Sequence, residues 1–222
     1  MATAVGAVGM VAALGATLAG GRTISPGSAQ SVAQALTLRS SDLPGLRSQP
    51  NPVTSQEIRA HDQLLACAGD PPPRGAFAQS QLFENSPTIP SETVFSEARI
   101  EPSASIAERA VAPAVLPRLT ACSQRLALTS WHATLPKTDT VTVSAGSFAP
   151  PLPRGDHMVG AFLDTTVRAQ GTITLRLYAD TISFSVGQAV ESISVQTITP
   201  PPRALERRLA MLLLARARKL IA

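Results

Sequence analysis

Aromatic residues are scarce in this sequence, which has one Trp, one Tyr and six Phe among its 222 residues. Proteins that bind single-stranded nucleic acid need exposed rings on which bases can stack, so this class is excluded. Two cysteines are too few for a small fold held together by several disulfides. A hydrophobic fraction of 44% excludes an intrinsically disordered chain. The length then predicts one compact domain of ordinary size.

Net positive charge is lacking before residue 200 and is concentrated at the C-terminal end of the chain. The chain as a whole carries a net charge of +4. Residues 200–222 contain one acidic residue and six basic ones, namely Arg203, Arg207, Arg208, Arg216, Arg218 and Lys219. A nucleic-acid-binding domain spreads its positive charge over a face of the fold, so we expect no nucleic-acid partner. The basic segment is expected either to be a structural helix or to make a weak contact with a membrane surface, a cell-wall polymer or a partner.

The N-terminal segment lacks ionisable side chains, because Arg22 is the first charged residue. Gly and Ala make up much of it, which is more typical of a secretory signal than of a membrane span. We therefore expect residues 1–29 to be signal-like or disordered, with cleavage after Ala19 or Ala29 and a secreted or cell-envelope location. A disordered tail on a cytoplasmic protein is the alternative. Residues 18–21 resemble a bacterial lipobox without its cysteine, which predicts an unlipidated product.

Helical and strand patterns follow one another along the rest of the chain. Residues 30–52 are rich in Ser, Gly, Pro and Gln and are predicted to be a linker to a single domain over residues 53–222. A helix is predicted from Thr54 to Ala68, strands over residues 76–84 and 92–101, and a helix broken by prolines over residues 103–130. A final helix is predicted after Pro202.

Apolar and polar residues alternate over residues 140–145, 172–177 and 182–186, which predicts antiparallel strands with one dry and one wet face. Hairpin turns are expected at residues 170–171 and 187–188. The apolar phase slips between Leu177 and Ile182, which predicts a bulge near Ala179 and Asp180. The predicted fold class is α+β, an antiparallel sheet of five to six strands packed with helices in the order α-β-β-α-β-β-β-β-α.

The two cysteines, Cys67 and Cys122, are too far apart in sequence for a redox CxxC pair. An exported protein would join them in a disulfide, whereas a cytosolic protein would keep two buried thiols.

Several short segments of this chain resemble a family of actinobacterial secreted proteins and lipoproteins with PknH-like extracellular sensor domains. The segments are ALTL at residues 35–38, DLP at 42–44, LPRL at 116–119 leading into Cys122, LYAD at 177–180 with Phe184 and Gly187, and LERRL at 205–209. The resemblance implies an extracytoplasmic α+β domain with a cleft for an unidentified small-molecule or cell-wall ligand. It implies that Cys67 and Cys122 form the disulfide between helices, and it supplies no catalytic residue.

Catalytic motifs are missing from the sequence. The only histidines, His61, His132 and His157, have no metal-ligand spacing, and there is no GxSxG, SxxK, Walker or protein-kinase motif. We therefore expect a non-catalytic sensor-like or ligand-binding domain without a cofactor or metal. The alternatives are an envelope hydrolase of unrecognised type and a peripheral adaptor that docks through the basic C-terminal helix.

Single carboxylates and a few polar side chains are the remaining candidates for a site. The carboxylates are Asp139, Asp156, Asp164 and Asp180, each predicted at a strand end, where turn and cap roles are the usual ones. Arg168, Arg176 and Tyr178 lie near the predicted 170–171 hairpin and either line a polar cleft or form the wet face of the sheet.

Overall fold

The computed structural model describes residues 24–69, 75–86, 91–150, 157–169 and 172–221 of the chain. The helices are α1 (Pro26–Leu36), α2 (Ser55–Ala68), α3 (Ala104–Ala110), α4 (Leu116–Thr134) and α5 (Arg203–Ile221). The strands are β1 (Arg47–Gln49), β2 (Ala76–Gln79), β3 (Leu82–Glu84), β4 (Glu92–Ile100), β5 (Thr140–Phe148), β6 (Met158–Ala169), β7 (Thr172–Val186) and β8 (Ala189–Thr197).

All eight strands belong to one antiparallel sheet in the order β1-β3-β4-β8-β7-β6-β5, with β2 also paired to β4. The α+β class and the antiparallel sheet are confirmed, with eight strands instead of the five or six predicted. The predicted division of the central helical region into two helices is also observed, because α3 ends before Pro113 and α4 begins at Leu116, with Pro117 in its first turn.

Helices cover both faces of the sheet. Helices α1 and α5 pack on the face that carries Val94, Phe184 and Ile193, and together they enclose the largest hydrophobic core. Helices α2, α3 and α4 lie on the opposite face, over Val159 and Ala161. Successive side chains of a strand point to opposite faces. A sheet between two helical layers must therefore bury both the even-numbered and the odd-numbered residues of a strand.

The predicted bulge near Ala179 and Asp180 is wrong. Strand β7 pairs in continuous register with β8 through these residues, and the irregularity lies instead between Val167 and Arg168 of β6. Leu177 is on the face of helix α4, whereas Ile182 is buried beneath α5. The apolar residues of β7 therefore change from one face of the strand to the other because a different face is covered at each end. The strand needs no bend.

The prediction of a linker over residues 30–52 is also wrong. Helix α1 occupies most of the first part of this segment, and β1 pairs with β3. Ala33 and Leu36 are completely buried in the core. Arg216 of α5 donates two hydrogen bonds, at 2.9 and 2.8 Å, to the carboxylate of Asp42. The segment is part of the domain, because its small apolar residues complete the layer formed by α5.

Residues 1–23, which include the expected cleavage site at Ala19, lie outside the described residues. Ala29, the other expected site, lies inside α1 and is buried in the core. Cleavage after Ala29 would remove the first turn of a packed helix, so Ala19 is the better candidate. Export itself stays a prediction.

The single strand predicted over residues 76–84 is divided into β2 and β3. Ser80, between them, donates its backbone N–H to the carbonyl oxygen of Ser96 at 2.9 Å. Its hydroxyl accepts a hydrogen bond from the N–H of Ser96, also at 2.9 Å. The hydroxyl of Ser96 in turn accepts a hydrogen bond from the N–H of Leu38 at 2.8 Å. These side-chain bonds replace the ladder where the strand is interrupted.

Cys67 of α2 and Cys122 of α4 form a disulfide with a Cα–Cα distance of 5.9 Å. The bond joins the two helices over Ala161 of the sheet, next to Leu64 and Leu119. The expected pairing of the two cysteines is thus confirmed. The hairpin turn predicted at residues 187–188 is confirmed, and the one at residues 170–171 lies outside the described residues.

None of the helices in the described ranges is sufficiently long and apolar to cross a lipid bilayer.

Candidate functional site

Helix α5 covers only part of the sheet face on which it packs. Its first residue, Arg203, is bonded to Asp180 in the middle of β7. Its last residue, Ile221, lies beside Gly187 at the end of that strand, where a Cβ on Gly187 would come within 2.8 Å of the Ile221 side chain. The helix therefore runs along one half of β7. The other half, together with the adjacent parts of β5 and β6, extends past the N-terminal end of α5.

A polar depression of about 280 Å³ lies on this extension. The pairing register arranges six of its lining residues in two rows across the three strands. One row is Ser144, Asp164 and Tyr178, and the neighbouring row is Thr142, Thr166 and Arg176. Because these residues alternate along each strand with residues of the opposite face, their side chains share one surface.

The two carboxylates nearest the depression have perturbed pKa values. Burial, and to a smaller extent the charge of Asp180, raises the pKa of Asp164, while Arg203 acts in the opposite direction. Burial, a hydrogen bond to the carboxyl group of Glu206 and repulsion from it raise the pKa of Asp180 to about 6, against the opposing effect of Arg203. Asp164 faces the depression, whereas Asp180 is buried beside it.

Arg203, the first residue of α5, lies at the end of the helix that is nearest the depression. One guanidinium nitrogen donates to Asp180 at 2.5 Å and to Glu206 at 2.8 Å. The guanidinium carbon lies 4.3 Å from the centre of the Phe148 ring, a cation–π contact. The arginine is therefore positioned from β5, β7 and the first turn of α5.

Two glycines, one in β5 and one in β6, leave space for an aromatic ring of the neighbouring strand. Gly160 pairs with Phe148, and Gly146 pairs with Phe162. An added Cβ would come within 2.8 Å of the Phe148 ring at Gly160, and within 2.7 Å of the Phe162 ring at Gly146. Each ring lies over the glycine of the neighbouring strand, which sets the height at which Phe148 meets Arg203.

The structure brings together some of the predicted site residues. Arg176, Tyr178 and Asp164 line the depression, which lies on the solvent-facing side of the sheet, so the two interpretations of Arg176 and Tyr178 describe the same surface. Arg168 is exposed on β6 and does not line it. Asp180 is bonded to Arg203, and Asp139 lies next to Thr138 before β5.

The histidines lie elsewhere, and Asp156 is outside the described residues. His61, in α2, is half-buried, and burial, followed by the charge of Arg99, lowers its pKa. His132 is exposed near the end of α4. His157 lies 3.9 Å from Glu108 and is also exposed. Histidine is thus absent from the described lining of the depression, and so is a set of His, carboxylate and Ser that converge on one point.

Sequence reasoning did not single out Thr142, Ser144 and Thr166. Their signal was the polar half of the strand alternation, which identifies a wet face but not the strands that lie next to each other. Glu206, the one acidic residue among residues 200–222, is buried against Arg203. Within the described ranges, no three or more His, Cys, Asp or Glu side chains lie close enough together to hold a metal ion.

Three comparisons with known proteins were made for this chain. No protein-family model matches it, and no curated protein matches it. Among solved structures, it is similar to the extracellular domain of PknH from Mycobacterium tuberculosis, with a TM-score of 0.47 and 11% sequence identity. The match covers 90% of this chain and 98% of that one. The likeness is one of overall fold and extends to neither ligand nor activity.

Proposed function

We propose that this protein is a non-catalytic, sensor-like domain outside the cytoplasm that binds a small polar ligand in the depression between β5, β6 and β7. The observation that carries the proposal is the pair of polar rows, in which hydroxyl, carboxyl and guanidinium groups converge on a volume of about 280 Å³. Pockets for small molecules begin at roughly 300 Å³, so the ligand is expected to be small.

The chemistry of the rows favours a hydroxylated ligand. Thr142, Ser144 and Thr166 each offer a hydroxyl that donates and accepts. Arg176 offers several N–H donors in a fixed plane, and Tyr178 offers an aromatic ring next to a hydroxyl. The carboxyl group of Asp164, whose pKa is raised by burial, offers two acceptor oxygens when ionised. Sugar-like compounds present the matching array of donors and acceptors.

The arrangement of the carboxylates favours binding over hydrolysis. Glycoside hydrolysis uses two carboxyl groups that flank the reacting bond, about 5 to 10 Å apart. Asp164 faces the depression, but Asp180 and Glu206 are both bonded to Arg203 and are buried. Asp180 is therefore occupied in positioning the start of α5.

The Cys67–Cys122 disulfide supports a location outside the cytoplasm, because such bonds form and persist in oxidising compartments. Alkylation of protein taken directly from the cell envelope, with and without reductant, tests this part of the proposal. No thiol is expected to react before reduction.

Native mass spectrometry of the purified domain, after incubation with the small-molecule fraction of an envelope extract, tests the binding site. We expect a bound mass with the wild type that is lost in Arg176→Ala and in Tyr178→Ala. Arg168→Ala is the matched control, because Arg168 is an exposed arginine of the same hairpin outside the depression. Retention of the ligand by both variants of the depression, or its loss in the control, would remove this site.

A further inference from the structure

The solvent-facing side of α5 is basic along the length of the helix. Arg207, Arg208, Arg218 and Lys219 are all exposed. The one acidic residue of the helix, Glu206, is only 1% exposed and is bonded to Arg203. No carboxylate of α5 therefore offsets the basic side chains on the surface that it presents.

Apolar and small residues form the middle of the same surface. Ala204, Met211 and Ala215 follow one another at spacings of seven and four residues, so they lie in a line along the outer side of the helix. Met211 is 40% exposed. The arginines and Lys219 flank this line, where long side chains can extend sideways from an apolar strip.

The segment after α1 adds two exposed arginines, Arg39 and Arg47, whereas α1 itself has no charged residue. Residues 26–47 pack against α5 through Arg216, which bonds Asp42, and through Arg208, which donates to the Asp42 carbonyl oxygen at 3.0 Å. Together, residues 26–47 and 203–221 contain eight basic and two acidic residues. The two acids, Asp42 and Glu206, are both buried and paired. Helices α2, α3 and α4 on the opposite side carry four arginines and three acids.

We infer that the outer surface of α5 with the neighbouring residues 37–47, called here the basic layer, is a docking surface for an anionic lipid bilayer. A bilayer interface accepts both parts of it, since anionic headgroups attract the basic side chains and the acyl boundary accepts the exposed apolar ones. A soluble polyanion would satisfy the arginines but would leave the exposed side chain of Met211 against water. The contact is peripheral, because the inner side of α5 is already buried in the core.

Co-sedimentation of the whole domain with vesicles tests this inference. Vesicles of equal parts phosphatidylcholine and phosphatidylglycerol are expected to bind the wild type, and vesicles of phosphatidylcholine alone are not. Loss of two basic residues near an anionic leaflet lowers the partition coefficient about 30-fold, so the charge reversals Arg207→Glu with Lys219→Glu are expected to lower it by at least about that factor. Both residues are exposed, and thermal melting checks that the fold is kept.

The matched control is Arg59→Glu with Arg118→Glu, which changes the net charge equally on the opposite helical layer, where both residues are exposed. This pair is expected to leave binding to the anionic vesicles within about twofold of the wild type, because charges beyond a Debye length are screened. Met211→Ser is expected to weaken binding without changing its dependence on salt. Equal losses in the two charge-reversal pairs, no binding to anionic vesicles, or binding to heparin without binding to vesicles would each overturn the inference.

Discussion

Arg203 at the start of α5 donates a hydrogen bond to Asp180 in the middle of β7 at 2.5 Å, and this pair determines where the helix begins over the sheet. The same guanidinium bonds Glu206 one turn later and lies over the ring of Phe148. Because α5 begins at this point, the half of β7 that precedes Asp180, with the adjacent parts of β5 and β6, keeps an open polar surface. The pair thus links the packing of the helix to the position of the depression.

The stability of the domain is expected to fall as the pH rises from about 4 to 6. The pKa of Asp180 is raised from 3.8 to about 6, so the folded state binds a proton in this interval that the unfolded state has released. Asp180→Asn is expected to flatten the dependence of the melting temperature on pH there. The slope will not vanish, because Asp164 and Glu191 also have raised pKa values. The lowered pKa of His61 opposes the fall toward pH 6. A melting temperature that rises from pH 4 to 6 in the wild type would contradict this interpretation.

Glu191→Gln is expected to stabilise the protein at neutral pH. Glu191 is 1% exposed in the core beneath α5, and neither of its carboxylate oxygens has a hydrogen-bond partner among the described residues. Burial raises its pKa well above 4.5, although Arg216 acts in the opposite direction. Folding near pH 7 must therefore protonate this group or bury its charge, a cost that glutamine avoids. Urea denaturation should show a gain of about 1 to 3 kcal/mol at pH 7, and little gain near pH 4.

Gly160→Ala is expected to destabilise the domain by about 1 to 3 kcal/mol, because its Cβ would meet both the ring and the carbonyl oxygen of Phe148. Gly27→Ala is the control, since a Cβ there has nothing within 4 Å and the residue lies in α1. Helix propensity predicts that this control will raise stability by up to about 1 kcal/mol. Equal effects of the two substitutions in urea denaturation would show that the ring of Phe148 does not need the space above Gly160.

Removal of the disulfide by Cys67→Ser with Cys122→Ser is expected to cost about 4 kcal/mol, on the loop-entropy model for the observed separation of 55 residues. Unfolding of the oxidised wild type and the double variant in guanidinium chloride measures this difference. A difference below about 1 kcal/mol would mean that the packing of α2 on α4 restrains these helices without the bond.

Regular strands and long helices could be predicted from sequence, because their apolar residues recur at periods of two and 3.6. Helix α1 could not, since Ala29, Ala33 and Leu36 are its principal buried residues and two of these are alanines. Such a small apolar face gives little periodic contrast among the Ser, Gln and Gly residues around it.

The candidate site was only partly predictable for a different reason. Arg176 and Tyr178 are polar residues near a hairpin, and that local feature left open whether they line a cleft or form the wet face of the sheet. Ser144 and Asp164 join them through the register of three strands, which the sequence does not specify. The false bulge in β7 has the same origin, because the alternation of residues shows that a strand has two faces but not which helix covers each one.

The most direct test of the proposed binding site is a ¹H–¹⁵N NMR titration of the wild-type domain with the small-molecule fraction of an envelope extract. Binding in the depression predicts amide shift changes centred on Ser144, Asp164, Thr166, Arg176 and Tyr178, and their absence in Tyr178→Ala. Absence of changes at these amides in the wild type, or changes confined to the side of α2, α3 and α4, would contradict the account.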